Sequence, residues 1–296
     1  MKWFQVKEQA AGKKRLILSW YLYKIFGENI LYLIAFLVSL CTFIFSKKIR
    51  EYSEKYLTVI KDVCGIEPNL INQFKHIHSY AVSLVDKMLV YCGDFNIKYV
   101  EFEDKNAEKQ HFDVIAQKKG MILLCNHVGN VEVLQTFFRN SAIPSNFSIN
   151  IFVSKKQSKI FNSFIEKIKT DIPVNLFLTE NIGLNTGIEL EEIINDGGVI
   201  FIAGDRLSET NASQCIETEL FSHKILLPKG AFAISKVLNV PIYFVSAIKT
   251  DKIYKVYVEP HTYIDEKTIV NDYIKFMERM IRLAPFQFYH FYDFFN

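Results

Sequence analysis

The chain has 296 residues, half of them hydrophobic, and a formal net charge of only +3. That is ample apolar material for a sizeable core and too little excess charge to mark a nucleic-acid binder. Its five cysteines (Cys41, Cys64, Cys92, Cys125 and Cys215) are scattered singly with no CxxC pair, which argues against a disulfide framework or a zinc site and fits a reducing compartment or a cytoplasm-facing domain. The 26 phenylalanines and 15 tyrosines fit contact with a greasy partner, and equally a low-GC genome.

The first informative stretch is Asn29 to Ser46, NILYLIAFLVSLCTFIFS. It carries no charge, and its 18 residues lie at the lower limit for spanning a bilayer core. It begins too late for a signal-peptide core, and no small-residue cleavage site follows. Lys13, Lys14 and Arg15 precede it, and Lys47, Lys48 and Arg50 follow. Positive charge on both sides leaves the orientation open and attracts anionic lipid. Trp20, Tyr21, Tyr23 and Tyr32 suit an interfacial belt. A membrane anchor, spanning or half-buried, is expected here; a buried core helix or a cleaved segment are the alternatives.

Residues 48–63 and 69–92 are predicted helices. In the second, Leu70, Phe74, Ile77, Ala81, Leu84, Val85, Met88 and Leu89 recur at helical spacing. His76 and His78 point to different faces of it and read as ordinary helix residues. From residue 97 short β-rich runs alternate with helical ones. Strands are predicted at 97–102, 121–125, 149–153, 174–178, 198–203, 241–248 and 253–258. Helices fit at 106–118, 130–140, 156–169, 183–195, 229–238 and 266–283, and 205–225 reads as the one long loop. Such alternation predicts an α/β fold with a mostly parallel sheet flanked by helices. Two regions follow: helices and anchor over 1–92, and an α/β domain over 93–296.

Three strand ends carry chemistry. MILLCNHVGNVEVL, residues 121–134, runs an apolar strand into Asn126 and His127, turns at Gly129 and opens a helix with Asn130 as a candidate N-cap. Glu132, in the first turn of that helix, is placed to hold one imidazole nitrogen and leave the other free as a base. No GxSxG elbow occurs, so a base here could act on a substrate hydroxyl directly; a satisfied surface histidine beside a helix-dipole glutamate is the other reading of the same spacing. GVIFIAGDRLS, residues 198–208, ends in Asp205 and Arg206, a strand-end ion pair or a cation for phosphate or an oxyanion. LPKGAF, residues 227–232, puts Lys229 and Gly230 at a helix N-terminus, where anions bind. Lys155 opens a basic helix at 154–169 that reads as a solvated face or as a docking face for headgroups or an acidic protein.

In this order the motifs resemble the bacterial lipid A late acyltransferases, the lauroyl/myristoyl transferase family of the lysophospholipid acyltransferase superfamily. The most specific part is NHVGNVE with its distances to GDR and LPKG. The resemblance implies a glycerol-phosphate-acyltransferase-like fold and a His-x4-Glu catalytic dyad of His127 and Glu132. It implies an acyl-acyl carrier protein thioester as donor, with no cofactor and no metal, and the hydroxyl of a lipid A precursor or related glycolipid as acceptor. It also implies a catalytic domain on the cytoplasmic face of the inner membrane. Asn126, Gly129, Asn130, Lys155, Asp205, Arg206, Lys229 and Gly230 would line the substrate site. Val131, Arg206 and Lys229 replace the family's usual Trp, Gln and Arg, and the tail around Tyr289, His290, Tyr292 and Asp293 lacks its Trp- and Arg-rich ending. A lipid ester or thioester hydrolase and a non-catalytic lipid-binding homologue are the alternative readings.

Overall fold

The computed structural model describes residues 13–117, 119–140, 148–153, 174–179, 184–207 and 214–295. The expected helix at 156–169, with Lys155 before it, lies outside the described residues.

Four helices open the chain: α1 (Lys13–Phe26), α2 (Glu28–Phe45), α3 (Lys47–Cys64) and α4 (Leu70–Cys92). α2 contains nearly all of the uncharged run. The side chain of Asn69 caps α4 by accepting the Asn72 N–H at 2.9 Å, and Gly93 ends it in the left-handed conformation. Although these helices precede the sheet in sequence, they share its core: Tyr56, Leu57 and Ile60 of α3 pack in one cluster with Ile122, Leu124 and Phe244 of the sheet.

The sheet has seven strands: β1 (Val100–Phe102), β2 (Met121–Gly129), β3 (Ile149–Val153), β4 (Val174–Leu178), β5 (Val199–Ala203), β8 (Ile242–Thr250) and β9 (Ile253–His261), in the order β1-β9-β8-β2-β5-β3-β4. β8, β2, β5, β3 and β4 run parallel, β9 folds back on β8 as a hairpin, and β1 runs parallel to β9. The expected α/β class with a mostly parallel sheet is therefore the observed one. Central β2 is covered on both faces, and Met121, Ile122, Leu123 and Leu124 are all fully buried. That double burial is why the strand reads as an unbroken apolar run rather than an alternating one.

Three local expectations need correction, the smallest being that residues Ile97–Tyr99, expected as strand, form a 3₁₀ turn before β1. Residues 205–225 are not one long loop, since β6 (Cys215–Leu220) and β7 (His223–Pro228) form a two-stranded hairpin. Its turn residues, Phe221 and Ser222, have φ of 51° and 63°. Positive φ at both central positions is what a tight hairpin turn demands, but the usual Asn-Gly signal is absent. In addition, β2 does not stop at Cys125. It continues to Gly129 through a bulge in which Asn126, His127 and Val128 stand against Ser246 alone, because Cys125 pairs Val245 and Gly129 pairs Ala247.

Candidate active site

Adjacent parallel strands β2 and β5 end side by side, at the carboxyl edge where open α/β sheets hold ligands. Cys125 pairs with Ala203, and the Gly204 N–H donates to the Cys125 carbonyl at 2.9 Å. Two residues beyond each pairing lie His127 and Asp205. The bulge turns His127 out of the strand. The Asn126 side-chain oxygen Oδ1 staples it, accepting from the Val128 N–H at 3.0 Å and the Ser246 hydroxyl at 2.7 Å.

The side chain of Asp205 is fully buried, and three N–H groups reach it. The His127 backbone N–H donates to Oδ2 at 2.6 Å, His127 Nδ1–H to Oδ1 at 2.7 Å, and His290 Nε2–H to Oδ2 at 2.9 Å. Burial alone would raise this carboxyl's pKa, but the two imidazoles and their hydrogen bonds hold it well below the usual range. A carboxylate that accepts from Nδ1 fixes the His127 tautomer and leaves the lone pair on Nε2. The His127 side chain is 30% exposed, so that lone pair can meet a substrate. Burial and then the charge of Arg206 lower the His127 pKa, and Asp205 only partly counteracts them. The imidazole is thus neutral near pH 7, as a general base must be.

Glu132 does not hold this imidazole. Its carboxylate forms an ion pair with Lys87 of α4. Burial works against the charge, but Lys87 brings the Glu132 pKa below its ordinary value. The reason is local. Asn130 caps no α-helix; its side-chain amide donates to the Ser83 carbonyl of α4 at 3.2 Å. Residues Val131–Leu134 then form a 3₁₀ turn before a short helix at Gln135–Asn140.

Gly129 closes the bulge, paired with Ala247. Its φ is 77°, and a Cβ there would stand 1.9 Å from the Ala247 carbonyl oxygen, so it lets β2 press backbone against β8. Arg206 lies beside the imidazole, but it also donates to the Tyr289 carbonyl at 2.9 Å and so grips the C-terminal segment. Lys229 faces Glu266 at 3.6 Å, and Gly230, in the first turn of its helix, has open space around it. Glu266 is not among the described residues that contact His127 or Asp205.

His290 and its segment were not marked as site residues by the sequence. Phe288 bridges to Val128, and the Tyr289 N–H donates to the His127 carbonyl at 3.0 Å. Tyr289 shares a hydrogen bond with Ser79 at 2.9 Å. His76, expected to be an ordinary helix residue, is fully buried; its Nε2–H donates to the Phe288 carbonyl at 2.8 Å and its Nδ1 meets the Ser53 hydroxyl at 3.0 Å.

These buried imidazoles give the fold an acid-sensitive side. Burial lowers His76 to about 4 and His290 to about 3, against about 6.5 for an unfolded histidine. Folding favours their neutral forms. That contribution is complete above about pH 6.5 and is lost as the pH falls towards the depressed values. Thermal unfolding is expected to show Tm falling between pH 7 and 5, and a flat profile there would contradict the buried-neutral assignment.

Two other chemistries can be weighed. Cys125 is buried, its thiol is pushed well above its ordinary pKa by burial, and it donates to the Leu123 carbonyl, so it is no ready thiolate. The ligand-type atoms of His127, Asp205 and His290 lie within 4.8 Å of one another. One cation could reach all three, but the nitrogens that face Asp205 carry the protons of its hydrogen bonds and offer a metal no lone pair there.

Comparison with protein-family models and with curated proteins finds no match for this chain.

Proposed function

We propose that this protein is a membrane-associated O-acyltransferase in which His127 is the general base and Asp205, rather than Glu132, is its carboxylate. The observation that carries this reading is the 2.7 Å bond from His127 Nδ1 to a fully buried Asp205, with Nε2 left free on a part-exposed ring. The donor, an acyl-acyl carrier protein thioester, and the acceptor, a hydroxyl of a lipid A precursor or related glycolipid, rest on the resemblance of the motifs. So does a site on the cytoplasmic face of the inner membrane.

In this reaction Nε2 takes the proton of the acceptor hydroxyl as its oxygen attacks the thioester carbonyl. A C–O bond forms and the carbonyl oxygen becomes an oxyanion. Collapse breaks the C–S bond, and the imidazolium returns its proton to the leaving thiolate. Asp205 keeps the ring oriented and offsets the imidazolium charge. Arg206, whose charge is felt at His127, is the candidate cation for offsetting the developing oxyanion. The base turns over without an acyl-enzyme and requires no cofactor.

The test is purified protein given radiolabelled acyl-acyl carrier protein and a total lipid extract of the host, with His127→Ala beside it. A labelled lipid ester is expected from the wild type, and about 10²–10⁴ less from the variant. Labelled free fatty acid alone would identify a hydrolase using the same base, and unchanged turnover in His127→Ala would remove the base assignment.

A further inference from the structure

We infer that α2 lies in the plane of one membrane leaflet and does not cross the bilayer. Only 17% of this helix is buried against the described residues, which leaves most of it without a protein partner there. Its exposed face is apolar: Leu33, Leu37, Val38, Leu40, Ile44 and Phe45 all face outward. A helix of 18 residues is about 27 Å long, enough to reach most of the way through a hydrocarbon core of about 30 Å. Composition therefore permits a span.

The packing does not. Near its start, Tyr32 donates to Asp86 of α4 at 2.6 Å; Asp86 in turn holds Lys249 of β8 at 2.6 Å and the Tyr254 hydroxyl of β9 at 2.5 Å. At its other end the chain passes through Ser46 directly into α3, where Tyr56 and Leu57 are buried in the sheet's own core and the Tyr56 hydroxyl donates to the Pro285 carbonyl at 2.6 Å. α2 is thus tied to the sheet near its start through Asp86 and leads at its end into a helix that packs in the sheet's core. Between these points α4 runs alongside, meeting α2 through Ser39 and His78 at 3.2 Å and through Phe43 and Phe74. An upright α2 would draw α4, which packs along its length and carries His78 and the Asp86–Lys249 pair, into the bilayer beside it, where polar and charged groups are disfavoured.

Lying flat, the same face enters the acyl region while the domain stays in water. The apolar surface continues beyond α2 into Leu70 and Ile71 of α4 and into Ile25 and Phe26 of α1. Residues 13–50 carry seven Lys and Arg against one acidic residue, Glu28. The occupant of this surface is therefore a leaflet with anionic headgroups. The inference stands independently of the reaction assigned to His127.

The test is topological. Full-length Glu28→Cys and Lys47→Cys, at exposed positions flanking the apolar face, are treated with a membrane-impermeant maleimide in right-side-out and inverted vesicles. Labelled peptides are identified by mass spectrometry, so native thiols do not interfere. Both positions are expected to label in the same vesicle orientation, and labelling in opposite orientations would overturn the inference. A second measurement uses flotation with phosphatidylglycerol vesicles. Leu37→Asp/Leu40→Asp is expected to lower the bound fraction about tenfold or more with Tm unchanged, whereas undiminished binding would show that this face does not meet lipid.

Discussion

Asp205→Asn is expected to reduce acyl transfer by about 10⁴-fold, the loss seen when a triad carboxylate becomes an amide. Asp205 receives three N–H donors, two from His127 and one from His290. An asparagine has one carbonyl oxygen to offer them, and its NH₂ must face another donor. The least costly relief is for His127 to move its proton from Nδ1 to Nε2, which removes the lone pair that would take the substrate proton. Glu132→Gln is the informative partner, because it breaks a pair with a partly exposed Lys87 and leaves the imidazole tautomer alone. Its loss is expected to be far smaller. Measuring kcat/KM for both variants, with thermal unfolding to confirm folding, decides between the two carboxylates. If Glu132→Gln proved the more damaging, the orienting role would return to Glu132.

Gly129→Ala is expected to be the most destabilising small substitution at the site. The new Cβ would stand 1.9 Å from the Ala247 oxygen and 2.7 Å from its carbonyl carbon, at a φ of 77°. Neither atom belongs to a side chain that can swing away, so β2 must part from β8 where the bulge presents His127. A loss of about 4 kcal/mol or more is expected, in the range reserved for backbone strain and overpacking, and a Tm lower by about 10 °C or more. Gly230→Ala is the control. Nothing lies within 4 Å of its Cβ position and it sits in a helix, so it is expected to be neutral or up to about 1 kcal/mol stabilising. An unchanged Tm in Gly129→Ala would mean that the two strands do not approach so closely.

The sheet was legible because its central strands are buried on both faces and so appear as solid apolar runs, such as VIFIA at 199–203. The hairpin at 215–228 was not, because Phe221 and Ser222 take positive φ without the glycine or asparagine that normally announces it. At the site, His127 was legible as a polar residue at a strand end. Its partner was misassigned because sequence spacing reports only near neighbours, and Glu132 is five residues away. Asp205 is 78 residues away and becomes adjacent only because β5 inserts beside β2. Asp205 was marked as a strand-end charge, yet nothing local said whose nitrogen it would meet. His290 was hidden in an aromatic tail whose docking against α3 and α4 is entirely non-local.

That geometry would make the proposed activity a strict reporter of complete folding. The contacts that finish the base close over sequence separations of 78, 85 and 212 residues. Such long-range closures form late, after the entropy of ordering the intervening chain has been overcome. A partly folded molecule with β2 and β5 paired would hold His127 and Asp205 but lack the clamp of Phe288 and His290. Recovery of the proposed turnover during refolding should therefore lag behind recovery of helix and sheet, so that a half-assembled chain would be silent rather than indiscriminate.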